Sequence, residues 1–265
     1  MKKIICLAAA LLLLALALTG CGRGGAPGSS GAGSMSGSGS GAMSGGTAGQ
    51  EQAWRTGLGV VTEAAGSDRA GKITTAAAAV VLDADGKLAD VMLDELELSV
   101  SGGSTGSVTT PEDVRSKRTK GEDPLAAASS LGKGWAEQAD WFADYLTGRT
   151  PDEVKKLKTD ENGKPQDADL VSGCTIAVDR YRDAVVRACE QAKALGAAQG
   201  DRVTLSLIAA DLPQDLAATD DQDAHVQADI TLAALTVDSD GRVTSAIGDM
   251  TQPQLTVSAD GTVSG

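Results

Sequence analysis

The chain has 265 residues, with 36 acidic against 23 basic side chains and a formal charge of −13. That balance excludes nucleic acid as an expected partner, because phosphate binding needs basic stripes. With only three Trp, two Tyr and one Phe, the core has to be built from Ala, Val, Leu and Ile.

The first element in chain order is a leader. Lys2 and Lys3 precede an almost unbroken apolar run from Ile4 to Leu18, and small residues follow. This is the pattern of a secretory signal peptide over residues 1–20, with a run too short for a comfortable permanent span. It closes on Leu18-Thr19-Gly20-Cys21, which resembles the lipobox of bacterial lipoproteins. The resemblance implies cleavage after Gly20, lipid on the thiol of Cys21, and an extracytoplasmic protein anchored in the bacterial cell envelope. Each buried methylene contributes about 0.8 kcal/mol, so two or three chains on one residue hold where one would not. Losing Lys2 and Lys3 with a leader that has no acid takes the charge from −13 to −15. Such a surface is repelled by anionic lipid, which leaves anchoring to the lipid itself.

Residues 21–50 consist of the lipidated cysteine and a linker that is nearly all Gly, Ser, Ala and Met. Without apolar periodicity this stretch cannot offset its ordering entropy, and as a coil it reaches on the order of 30 Å. Residues 51–265 are then the folded part, of a size for one domain or two intimately packed small ones.

Within 51–265 one pattern occurs twice. An apolar strand ending Val81-Leu82 leads through Asp83-Ala84-Asp85-Gly86-Lys87 into a strand from Leu88. A second, ending Thr236-Val237, leads through Asp238-Ser239-Asp240-Gly241-Arg242 into a strand from Val243. The offset is 155 residues, and Asp-Gly between alternating apolar residues is a strong hairpin signal. Asp-x-Asp-Gly lacks the third acid and the later bidentate Glu of a calcium loop, so a turn is expected. A third such turn is expected at Ala259-Asp260-Gly261.

Between the repeats, helical spacing runs from Pro124 to Leu146, with Leu131, Trp135, Phe142 and Leu146 on one stripe. Thr150-Pro151-Asp152-Glu153 starts a short helix, and Asp179 is expected to cap a helix ending near Leu195-Gly196. The expected fold is α+β: two related antiparallel β units, about 55–108 and 203–263, flanking a central helical segment. Trp141 and Tyr145 lie on a second face of the first helix, which meets either a second sheet or a ligand.

Asp169-Leu170-Val171-Ser172-Gly173-Cys174-Thr175 resembles the flavinylation motif of FMN-binding domains: Asp, two residues, Ser or Thr, Gly, Ala, then Ser or Thr. The resemblance implies FMN as cofactor, joined through its phosphate to the hydroxyl of Thr175, with Asp169, Ser172 and Gly173 shaping the turn. Cys174 departs from the pattern by standing where the family has Ala. The competing reading is a plain strand, Cys174 to Val178, entered through a Ser-Gly turn. More loosely, Gly134-Trp135-Ala136-Glu137-Gln138 and Leu146-Thr147-Gly148-Arg149-Thr150 resemble segments of Gram-positive envelope lipoproteins.

After Cys6 and Cys21, only Cys174 and Cys189 remain, either as a disulfide or as two buried thiols. His225 is the only histidine, expected as an ordinary strand residue, so neither a Ser-His-Asp triad nor a His-rich metal site is expected. Arg115, Lys117, Arg118 and Lys120 form a basic cluster that either holds an anion or is a solvated loop. No catalytic residue emerges. The function expected is a non-catalytic module binding a small molecule or an envelope protein, with an FMN-carrying electron-transfer lipoprotein as the alternative.

Overall fold

The computed structural model describes residues 53–121 and 124–265; the stretches expected to be leader and linker, with Cys21, lie outside them. Four antiparallel strands form the first sheet in the order β1 (Arg55–Ser67), β2 (Ala70–Leu82), β3 (Leu88–Gly102) and β4 (Val108–Thr109). Six helices follow: α1 (Lys117–Lys120), α2 (Leu125–Ala128), α3 (Trp135–Leu146), α4 (Pro151–Lys155), α5 (Ala168–Val171) and α6 (Asp179–Gln191). The remaining strands are β5 (Arg202–Ala209), β6 (Ala224–Gln227), β7 (Ile230–Val237), β8 (Val243–Thr251), β9 (Gln254–Val257) and β10 (Val263–Ser264). They form two three-stranded sheets, β5-β7-β8 and β10-β9-β6.

The fold is α+β, and both hairpins of the repeat are present. Asp83 Oδ1 accepts from the amides of Asp85 and Lys87 at 2.9 and 2.8 Å, and Asp238 Oδ1 accepts from those of Asp240 and Arg242 at 2.9 and 2.8 Å. The register slips between Val81 and Leu82 in one hairpin and between Thr236 and Val237 in the other, again 155 residues apart. One carboxylate oxygen of each turn is taken up by its own backbone, as in an Asp-anchored hairpin turn. Asp160 to Lys164 folds the same way, with Asp160 Oδ1 accepting from the amides of Asn162 and Lys164.

The helical segment does not separate the two β units. Strand β2 is buried on both faces: Ala76, Ala78, Val80 and Leu82 pack with the helices, while Ile73, Ala77, Ala79 and Val81 pack with β5, β7 and β9. The first sheet is therefore the middle of three layers, with helices α3 and α6 outside it and the second β unit against its other face. A run of small apolar residues without alternation suits a strand covered on both sides. Contact with α6 is close because β1 presents Gly57 and Gly59. A Cβ on either would overlap the carbonyl oxygen of Ala188 or Ala184. The described residues form one unit that contains both apolar cores.

Four local expectations change. The segment expected to be helical from Pro124 to Leu146 breaks after Ala128, where Ser129 turns extended (ψ 134°), so Leu131 leaves the buried stripe. The helix expected to reach Leu195 stops at Gln191, because Lys193 exchanges two backbone hydrogen bonds with Thr56 of β1 at 2.9 and 3.0 Å. Asp179 sits in the first turn of that helix rather than at its cap. Residues 174–178 are not a strand but an irregular link between α5 and α6. Cys174 and Cys189 are buried free thiols, and burial pushes them up to about 11 and about 12. His225 is exposed on β6, with Nδ1 3.3 Å from the Thr256 hydroxyl. Among the described residues no helix is long and apolar enough to cross a membrane.

Candidate functional site

The helix-facing side of β3 carries two acids two residues apart, Glu95 and Glu97, in register with Ala76 and Thr74 of β2. Period-two geometry puts both on one face of the strand. Lys117 opens α1 above them, held by Ser116, whose buried side chain caps the helix. Trp135 opens α3 and Tyr181 lies in the first turn of α6. Four segments distant in sequence therefore converge at one end of the helical layer.

Their contacts form a chain. Trp135 Nε1 donates to the Tyr181 hydroxyl at 2.9 Å, and that hydroxyl donates to Glu95 Oε2 at 2.6 Å. Lys117 Nζ meets Glu95 at 2.6 Å and Glu97 at 3.3 Å, while Lys72 also pairs with Glu97. The Trp135 and Tyr181 rings meet edge to face at 5.9 Å, and Lys117 and Arg118 sit 5.6 and 5.7 Å from the Trp135 ring centre. Glu95 is 4% exposed, so Lys117 and the phenol, rather than bulk water, satisfy its carboxyl oxygens.

These groups titrate away from their ordinary values. Burial raises the Tyr181 phenol well above the usual range, and the adjacent Glu95 charge adds to it. Burial works against the charged form of Lys117, but Glu95 and Glu97 outweigh it and hold the ammonium above its ordinary value. Burial likewise works against the Glu97 carboxylate, yet the hydrogen bonds and charges of Lys72 and Lys117 leave it below the ordinary range. All three stay in one protonation state near neutral pH. They make a fixed polar wall, not an acid or base poised to exchange protons.

Over this wall lies a groove made of two adjoining cavities, about 490 and 520 Å³. Both are bounded by Glu97, Lys117, Leu125, Ala128 and Trp135. The first continues along Pro124 and Lys120 and is the more apolar. The second runs past Ser129, Ser130, Lys164 and Thr175 to Tyr181. Each volume is in the range of small-molecule sites.

Of the flavinylation-like residues, only Thr175 reaches this groove. Its amide and its Oγ1 both donate to Oε1 of the fully buried Gln138, at 2.8 and 3.1 Å. Asp169 sits in the first turn of α5, whose cap is Asp167, and the Ser172 hydroxyl donates to the Asp169 carbonyl at 2.6 Å. Gly173 is covered by the indole of Trp141, which occupies the space a Cβ would need. The bare backbone at Gly173 thus serves packing against a tryptophan. Cys174 is fully buried beside them.

Trp141 and Tyr145 lie away from the groove. Trp141 is 40% exposed, with Lys133 Nζ 4.5 Å from its ring centre. Tyr145 stacks under the Arg149 guanidinium at 4.0 Å. The aromatic that lines the groove is Trp135. The basic cluster is largely consumed within the fold: Arg115 chelates Asp113 at 2.9 Å through two nitrogens, Lys117 pairs with the glutamates, and Arg118 pairs with Asp140 at 2.5 Å. Lys120 lines the apolar cavity. Glu95, Glu97 and the meeting of Tyr181 and Lys117 on Glu95 were not singled out by the sequence. The available signal was Glu95-Leu96-Glu97-Leu98, an acid-apolar alternation in the middle of a strand. Among the described residues no three His, Cys, Asp or Glu side chains are grouped to hold a metal. No protein-family model, curated protein or solved structure matches the chain.

Proposed function

We propose that this chain is an extracytoplasmic lipoprotein, anchored through Cys21, whose folded domain is a non-catalytic binding module for a small molecule. The groove over Trp135 is its ligand site. The observation that carries this reading is the groove's construction: an apolar floor of Trp135, Leu125 and Ala128 beside a polar wall whose charges are already matched. Such a wall supplies orientation without chemistry, which suits binding more than turnover. The test is a thermal-shift screen of amphiphilic small molecules on residues 22–265 beside Ala128→Trp, which fills the groove from an exposed position. Ligands that raise the melting temperature of the parent but not of the blocked variant support the reading. Ligands that stabilise both equally would move the site elsewhere.

A second reading is favoured by the position of Thr175. Its hydroxyl donates inward to Gln138, leaving lone pairs on the cavity side, in a cavity large enough for a flavin. FMN joined there through its phosphate would make the domain an electron-transfer lipoprotein. An intact mass after export together with a flavin transferase tests this. An FMN adduct absent from Thr175→Ala supports it, and an unmodified mass in both sinks it.

A further inference from the structure

The two cavities of the groove differ in kind, and the difference specifies a ligand class. One is mainly apolar, bounded by Pro124, Leu125, Ala128 and Trp135, with Lys120 and the paired Lys117 and Glu97 also along it. The other presents hydrogen-bond donors. Ser129 Oγ accepts from the Leu131 amide and from Gln138 Nε2, both at 3.2 Å, so its own proton is left to give to a guest. Lys164 lines the same cavity and brings a cationic side chain to its edge. The carboxylates in the wall are already matched: Glu95 by Lys117 and the Tyr181 phenol, Glu97 by Lys72 and Lys117. Arg180, also in this wall, is matched by Glu63 at 3.0 Å. Lys164 here, and Lys120 at the rim of the other cavity, have no ion pair among the described residues, so the groove carries a positive excess inside a chain whose formal charge is −13.

We propose that the groove takes an anionic amphiphile, with its phosphate or carboxylate head against Lys164 and Ser129 and its apolar body along Leu125, Ala128 and Trp135. This rests on the groove being the ligand site and adds which chemistry it selects. The head and body ends follow from the two cavities, and the sign of the head follows from the donors. An acyl phosphate and a ring phosphate share this chemistry.

Calorimetric titration of residues 22–265, which keep the whole folded unit, separates the cases. The probes are dodecyl phosphate and dodecyltrimethylammonium, both below their micelle concentrations, with FMN and inorganic phosphate. Dodecyl phosphate is expected to bind at least tenfold more tightly than the cationic detergent of equal chain length. Lys164→Gln should weaken it three- to tenfold with an unchanged melting temperature, and Ala128→Trp should abolish it. Stronger binding of FMN than of dodecyl phosphate, with the same loss in Lys164→Gln, would also support the class and identify a ring phosphate. Equal or tighter binding of the cation, lost in Ala128→Trp, would overturn the head assignment while leaving the groove as the site. Inorganic phosphate binding as tightly as dodecyl phosphate would overturn the amphiphile. Binding of the dodecyl probes that Ala128→Trp leaves intact, or no binding by any probe, would overturn both the inference and the reading beneath it.

Discussion

At Glu95 a nearly buried carboxylate is paired with one ammonium and one phenol, and the consequences are measurable side chain by side chain. Lys117→Met removes the cation and leaves Glu95 with Tyr181 alone. Breaking a buried pair costs about 3–5 kcal/mol, and the 29% exposure of the Lys117 side chain places this one near about 3 kcal/mol, read from urea denaturation. Glu97 predicts an acid limb. Its folded-state pKa is depressed, so its contribution is complete above the unfolded value of about 4.3 and is lost as pH falls through the folded value. The melting-temperature gap between the parent and Glu97→Gln should therefore shrink as pH drops below about 4. A gap independent of pH would show that the Lys72 and Lys117 pairs contribute nothing. The two cysteines add a further check, since both thiols are buried and burial holds them protonated. In residues 22–265 a thiol reagent should find none in the native protein and two after denaturation; none in either state would mean a disulfide.

At the scale of elements, α6 rides on β1 through backbone contacts that only glycine permits. Gly59→Ala should force that helix outward and cost about 2–3 kcal/mol, as overpacking does, with loss of amide-exchange protection in α6. Retained protection and unchanged stability would contradict this packing. The two repeat turns were legible in the sequence because a single Asp and Gly carry the whole local conformation, down to a shared register slip. The layering was not. Ala76 to Ala79 carry no alternation, so nothing in the string says that one face meets helices and the other a second sheet. The extent of α6 was illegible for a related reason: Lys193 leaves the helix for a pairing with Thr56 that lies 137 residues away in sequence. The groove was hidden by the same distance, since Glu95, Lys117, Trp135 and Tyr181 arrive from four segments, and only the Glu95-Glu97 alternation hinted at it. Thr175 was legible as a residue of interest, and the cavity beside it was not.

For the whole molecule, three layers cover the middle of the first sheet on both faces, and the groove sits where the helical layer is interrupted between α2 and α3. The interruption at Ser129–Gly134 thus links fold to function: a continuous helix would lose both the Ser129 donor and the cavity beside it. The account stands or falls on where a ligand binds. The most direct measurement is amide chemical-shift mapping of residues 22–265 titrated with dodecyl phosphate. Saturable shifts gathered at Lys117, Leu125, Ala128, Trp135, Lys164 and Thr175 are the predicted result. Shifts gathered around Trp141 and Tyr145, or on the second β unit, would contradict the assignment of the groove.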